Sequence, residues 1–171
     1  MSFAARWIRL GTVEPQELDS IARGIAAVQS ARAMPIVLWG RQDGALEFAL
    51  VVPARLAPGK RQRWSAWALQ PAVAAYRHIG LPAYLDGAEI RLHGKRIAQG
   101  SIALIGACVV AASGFVMRFP AEGYLEDLFR ARIEAQHGWQ FESSWPTAPE
   151  QVAMAAVRSA PREAAISDLP R

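Results

Sequence analysis

The sequence predicts a single α/β (α+β) domain whose mixed, mostly antiparallel sheet is flanked by helices. Three observations predict it. Runs rich in Val, Ile, Leu and Phe recur along the chain and are punctuated by Gly, Asp and Pro. Three longer segments have helical composition, two of them with apolar residues at three- and four-residue steps. Several of the apolar runs are joined by turns too short for a crossover, so they pair antiparallel. A chain of 171 residues makes one domain with a sizeable core. We assign residues 1–146 to that domain and 147–171 to a C-terminal tail carrying a short helix over 150–157.

Residues 7–10 form a first short strand. Thr12 or Glu14 opens a helix, with Pro15 near its first turn. Leu18, Ile21, Ile25 and Val28 give that helix its apolar stripe, and Gly24 weakens it. Residues 36–39 are a strand, 40–44 a turn and 45–52 the next strand. A helix over 62–79 follows, which Pro71 should kink or split. Gly80 caps it. Strands at 84–85 and 89–92 enclose an Asp86-Gly87 turn, and His93-Gly94-Lys95 makes another. The uncharged stretch 97–117 reads as two strands ending at Phe119, with Pro120 closing them. A helix over 122–136 carries Leu125, Leu128, Phe129 and Ile133 on one face and is capped by Gly138. Its early acids and late arginines suit the helix dipole. Trp139-Gln140-Phe141 packs after it.

Charge and composition exclude several classes. The net charge is +4, and Lys60 and Lys95 are the only lysines. No dense basic run interleaves with aromatics, so no nucleic-acid partner is expected. Residues 97–117 carry Gln99, Gly100, Ser101, Gly106, Ser113 and Gly114 among β-branched residues. Buried strands suit that pattern better than a membrane span. Arg6 and Arg9 interrupt the N-terminal apolar stretch, so no signal peptide is expected. The lone Cys108 reads as a buried structural thiol in a reducing, cytoplasmic compartment. His78, His93 and His137 are scattered and offer no metal-ligand spacing. Trp64 and Trp67 share a helical face and read as packing residues. Glu122 and Glu126 lie four apart and read as dipole partners rather than an acid/base pair. Ser113-Gly114 lacks the pattern of a nucleophile elbow.

The segment Gly44-Ala45-Leu46-Glu47-Phe48-Ala49-Leu50-Val51-Val52-Pro53 is followed by an aromatic- and Ala-rich helix and the stop Ile79-Gly80-Leu81. Then come Ala88-Glu89-Ile90-Arg91-Leu92 and the motif Gly94-Lys95-Arg96-Ile97-Ala98-Gln99-Gly100-Ser101. In this order of elements, and in the helix ending Ile133-Glu134-Ala135-Gln136-His137-Gly138-Trp139, the chain resembles the biotin/lipoate A/B protein ligase superfamily. The resemblance covers roughly residues 45–139. It implies a fold like that of biotin ligases and class II aminoacyl-tRNA synthetases. It also implies a basic residue before Ile-Ala that contacts an acyl carboxylate or acyl-adenylate, where a fixed cation offsets developing negative charge.

On that resemblance Lys95 and Arg96 are the catalytic candidates. A regular strand puts Arg96 in the slot and turns Lys95 away; only a bulge or a slipped register restores Lys95. Gly40, Arg41, Gly44, Gly94, Ile97, Ala98, Gly100 and Ser101 are the ligand-binding candidates. The implied cofactors are ATP with a lipoate, biotin or octanoyl group, and the implied partner is a lipoyl or biotinyl carrier protein. The family's Arg- and Gly-rich loop is reduced here to 40–44, which marks a degenerate member. Three readings follow. The leading one is a ligase-like pseudoenzyme with a binding role. The second is an active ligase or acyltransferase using Lys95 and Arg96. The third is an oligomeric interaction domain with no small-molecule site.

Overall fold

A computed structural model of the chain describes residues 2–42, 44–115 and 122–160. Its elements run β1 (Phe3–Thr12), α1 (Glu17–Val28), β2 (Ile36–Gln42), β3 (Ala45–Pro53), α2 (Trp64–His78), β4 (Tyr84–Asp86), β5 (Glu89–Leu92), β6 (Lys95–Gln99), β7 (Ser101–Ile105), β8 (Cys108–Phe115), α3 (Glu122–His137), β9 (Trp139–Ser143) and α4 (Ala148–Ser159). Six strands form the main sheet in the order β7-β8-β3-β2-β1-β9, and β4-β5-β6 form a small second sheet. Among the described residues only β1 pairs in parallel, with β2 and with β9; the other pairings are antiparallel. The mixed, mostly antiparallel sheet flanked by helices is therefore the architecture of the molecule.

Two-residue alternation along the strands divides the core by face. Trp7, Trp39, Phe48 and Phe115 point toward α2 and α3, where they meet Phe129 and Tyr76. The rings interlock, with Phe48 and Phe129 centroids 4.4 Å apart and Trp7 and Phe141 5.1 Å apart. Ile8, Leu38, Val51 and Val110 point the other way, onto Leu18, Ile21 and Ile25 of α1. The helix α4 lies across α1. There Gly24 leaves room for Val157, whose Cγ2 would stand 3.3 Å from an added Cβ. Its interior glycine weakens α1 as an isolated helix but lets the two helices approach.

Several local details differ from the sequence reading. The strand β2 runs on to Gln42 because Gly40 and Arg41 continue the ladder opposite Glu47 and Leu46. The connection is thus a tight hairpin closed by Gly44 at φ 68; Asp43 lies outside the described residues. The stretch from Lys95 to Phe115 makes three strands, not two. It breaks at Gly100, whose N–H donates to the Ala88 carbonyl at 2.6 Å. An added Cβ at Gly100 would stand 2.8 Å from that same oxygen, so a larger residue does not fit there. Helix α2 passes through Pro71 without splitting. Helix α4 extends beyond 150–157 in both directions, and the Thr147 N–H donates to Glu150 Oε2 at its start. The expected strand end at Phe119, the closing Pro120 and the residues after 160 lie outside the described residues. Among the described residues no helix is long and apolar enough to cross a membrane.

Candidate functional site

Where the open ends of β3 and β8 meet the first turn of α1 and the junction of β6 with β7, the molecule holds a cavity of about 550 Å³. That volume lies in the range of small-molecule sites. Its apolar lining comes from Leu18, Leu46, Phe48 and Ala112, and its polar lining from Gln16, Asp19, Ser20, Gln42, Glu47, Gln99, Ser101 and Ser113. The junction is held in place by side chains. Ser101 Oγ donates to Asp19 Oδ1 at 3.0 Å, tying β7 to α1, and Ser113 Oγ donates to the Gln99 carbonyl at 3.3 Å. Tyr76 OH donates to the Gly114 carbonyl at 3.3 Å from below the sheet.

Two carboxyl groups face this space, and they differ. Asp19 is matched by Arg23, four residues on in the same helix, at 3.2 Å. Glu47 crosses Gly114, its register partner in β8, and has no hydrogen bond or ion pair among the described residues. Burial pushes its carboxyl above the usual carboxylate range, as expected where water is removed and no cation replaces it. Among the described residues, no Lys or Arg lines the cavity.

The structure distributes the residues singled out in the sequence. Ala98, Gly100 and Ser101 line the cavity. Ile97 is half-buried against the aromatic core. Gly94 sits in the exposed β5–β6 turn at φ 78. Gly40 and Arg41 line a separate cleft of about 250 Å³ with Arg9, Trp39 and Glu126, while Gly44 turns the hairpin between the two spaces. In that cleft Glu126 Oε1 accepts from both Trp7 Nε1 and Arg9 Nε, a structural use of that carboxylate. The side chain of Glu122 lies outside the described residues.

Strand β6 contains a bulge. Ile90 pairs with Ala98, but Arg91 pairs with Arg96, so Ile97 is the extra residue. The bulge resets the alternation. Arg96 therefore shares a face with Gln99, three residues on, and its Nη1 lies 3.3 Å from Gln99 Oε1 and 3.5 Å from Glu89 Oε1. Glu89 is also held by Arg91, whose hydrogen bond and charge, together with Arg96, draw its carboxyl below the usual range despite some opposing desolvation. Lys95 is exposed opposite Leu92. Both basic side chains stand outside the cavity lining, with Gln99 linking Arg96 to its rim. Sequence reasoning missed Asp19 and Glu47. Glu47 had a signal, as the one charge in the apolar strand Ala45–Pro53; Asp19, on the polar side of an amphipathic helix, had none.

No protein-family model and no curated protein matches the sequence. Solved structures do match the fold. Lipoate-protein ligase A bound with ATP superposes with a TM-score of 0.76 at 11% identity, over 93% of this chain and 95% of that one. A chain from the bi-partite lipoate protein ligase and E2 lipoyl domain system of Thermoplasma acidophilum gives 0.74 at 11% identity, over 92% and 93%. The biotin protein ligase of Aquifex aeolicus gives 0.55 at 14% identity, over 78% and 69%.

Proposed function

We propose that this chain, which has the fold of lipoate-protein ligases and biotin protein ligases, works as a ligase-like binding domain in which acyl-adenylate chemistry is weak or absent. One observation carries the reading. The cavity at the β6–β7 junction presents Glu47 and Asp19 and, among the described residues, no cation. An acyl-adenylate brings a phosphate charge and an oxyanion, and catalysis of its formation needs fixed positive charge beside them. Like charges a few ångströms apart in a half-buried site repel by several kcal/mol, on the order of 4 at an effective dielectric of 20.

A second reading is an active lipoate, biotin or octanoyl ligase or transferase that uses Lys95 and Arg96, takes ATP, and acts on a lipoyl or biotinyl carrier protein. It is favoured by the bulge, which puts Arg96 within hydrogen-bond distance of Gln99 on the cavity rim. A matched ligase described as bi-partite supplies a precedent for completion by a second chain.

Pyrophosphate exchange with ATP and lipoate, biotin or octanoate separates the two. The proposed reading expects no exchange above background. Exchange that disappears in the Lys95→Ala/Arg96→Ala variant overturns it and establishes the second. A ligand at about 100 times its Kd stabilises the native state by roughly 2.7 kcal/mol. A melting-temperature scan with the same compounds therefore detects binding without turnover.

A further inference from the structure

The cavity's charge selects its ligand. An anionic head group entering it meets the Glu47 carboxylate, which has no partner among the described residues, beside the already matched Asp19. The first turn of α1 opposes this, because a helix N-terminus favours anions. However, that turn already carries Glu17 and Asp19, which offset its partial charge. The remaining polar groups, the hydroxyls of Ser20 and Ser113 and the amides of Gln42 and Gln99, can accept as well as donate. An ammonium group would find in Glu47 a counter-ion, and acceptors around it. Leu18 and Ala112, which lie on the Glu47 side of the sheet, supply apolar surface for a short alkyl stem.

We propose that the cavity binds an aliphatic ammonium ion, with Glu47 as its counter-ion and Leu18 and Ala112, on the same side of the sheet, beside its stem. The proposal rests on the binding-domain reading and names its ligand class. Two sources share this chemistry, a free alkylamine and a lysine side chain presented on a peptide. The half-burial that disfavours the Glu47 carboxylate makes binding strengthen as pH rises through that carboxyl's raised range, because the ligand needs it ionised.

The test is isothermal titration of the full chain at pH 7.5 and low salt with n-pentylamine, Nα-acetyl-lysine methylamide and pentanoate. It is repeated on Glu47→Gln and Asp19→Asn. The expected result is binding of at least one amine, about tenfold or more weaker in Glu47→Gln, with pentanoate at least about tenfold weaker in the wild type. Asp19→Asn, which keeps the group's size and leaves Glu47 in place, should lose less. Glu47→Gln should melt no lower than wild type, since it removes an unpaired half-buried charge. Tighter binding of pentylamine points to a free amine, and tighter binding of the lysine derivative to a peptide. Failure of both amines to bind, equal binding of pentanoate, or amine binding untouched in a folded Glu47→Gln overturns the proposal. Those outcomes leave the pyrophosphate-exchange result standing, and exchange activity in turn leaves the amine titration to be read by itself.

Discussion

The side-chain amide of Gln136 in α3 donates to the backbone carbonyl of Trp67 in α2 at 3.1 Å. That carbonyl lies four residues before Pro71, which has no N–H to offer it. The neighbouring helix thus satisfies the acceptor that the proline orphans, and α2 continues where its sequence argues for a break. Gln136→Ala should destabilise the protein by about 1 kcal/mol. In a Pro71→Ala background, where the helix can make its own bond, that loss should largely vanish. A urea double-mutant cycle measures the coupling, and purely additive losses would refute the compensation.

Arg6 and Glu150 form a two-pronged pair joining β1 to α4, with Nη2 to Oε2 at 3.0 Å and the side chains only 12% and 2% exposed. Removing the carboxylate alone leaves a buried guanidinium without its counter-charge. Glu150→Ala should therefore cost about 3–5 kcal/mol, more than the paired replacement Arg6→Met/Glu150→Leu. Burial pushes the Glu150 carboxyl up, but hydrogen bonds from Arg6 and the Thr147 N–H and the Arg6 charge outweigh it, leaving it below its ordinary 4.5. The unfolded chain then binds the proton first. The contribution is whole above about pH 4.5 and fades as pH falls through the lower folded value. Chemical denaturation from pH 6 to 3 should show this slope in the wild type and a shallower one in Glu150→Gln.

His137 lies between the rings of Trp67 and Trp139, at 4.8 and 4.6 Å, and its Nε2 has no hydrogen-bond partner among the described residues. Burial lowers its pKa from 6.5 to about 4. The folded state keeps the ring neutral while the unfolded chain takes up a proton below 6.5. Stability is thus whole above that pH and declines toward about 4, by on the order of 1–3 kcal/mol. His137→Phe keeps the ring stack and removes the titration. Its stability should fall less than the wild type's between pH 7 and 5, where Glu150 is silent and the raised Glu47 carboxyl contributes equally to both. Wild-type and variant curves of the same slope over that interval would contradict the assignment.

Gly100→Ala tests the junction between the two sheets. The new methyl would meet the Ala88 carbonyl at 2.8 Å and Leu69 Cδ1 at 2.5 Å. Leu69 can turn aside, whereas the Ala88 oxygen is backbone held by the Gly100 N–H. The substitution should cost about 1–3 kcal/mol. It should also weaken whatever the cavity binds, because Gly100 lies between Gln99 and Ser101 in its lining. An unchanged melting temperature would show that the junction has room to spare.

By itself the sequence determined the local elements and the kind of fold. Leu18, Ile21 and Ile25 recur at helical spacing, and Leu125, Phe129 and Ile133 do the same. Both sets are fully buried in the folded chain because a helix has only one face to hide. Gly80, Gly87, Gly94 and Gly138 stand at positive φ where turns were expected, since backbone sterics are local. Tertiary structure decided what depends on distant neighbours. The continuity of α2 hangs on Gln136, sixty-odd residues away. The bulge at Ile97 arises from pairing with Ile90 and Arg91, and no periodicity within β6 announces it. The cavity joins α1, β3, β6, β7 and β8, so the facing of Glu47 and Asp19 exists only once the sheet is assembled. Pairing register and packing are non-local, and a one-residue shift in either changes which charge meets the site.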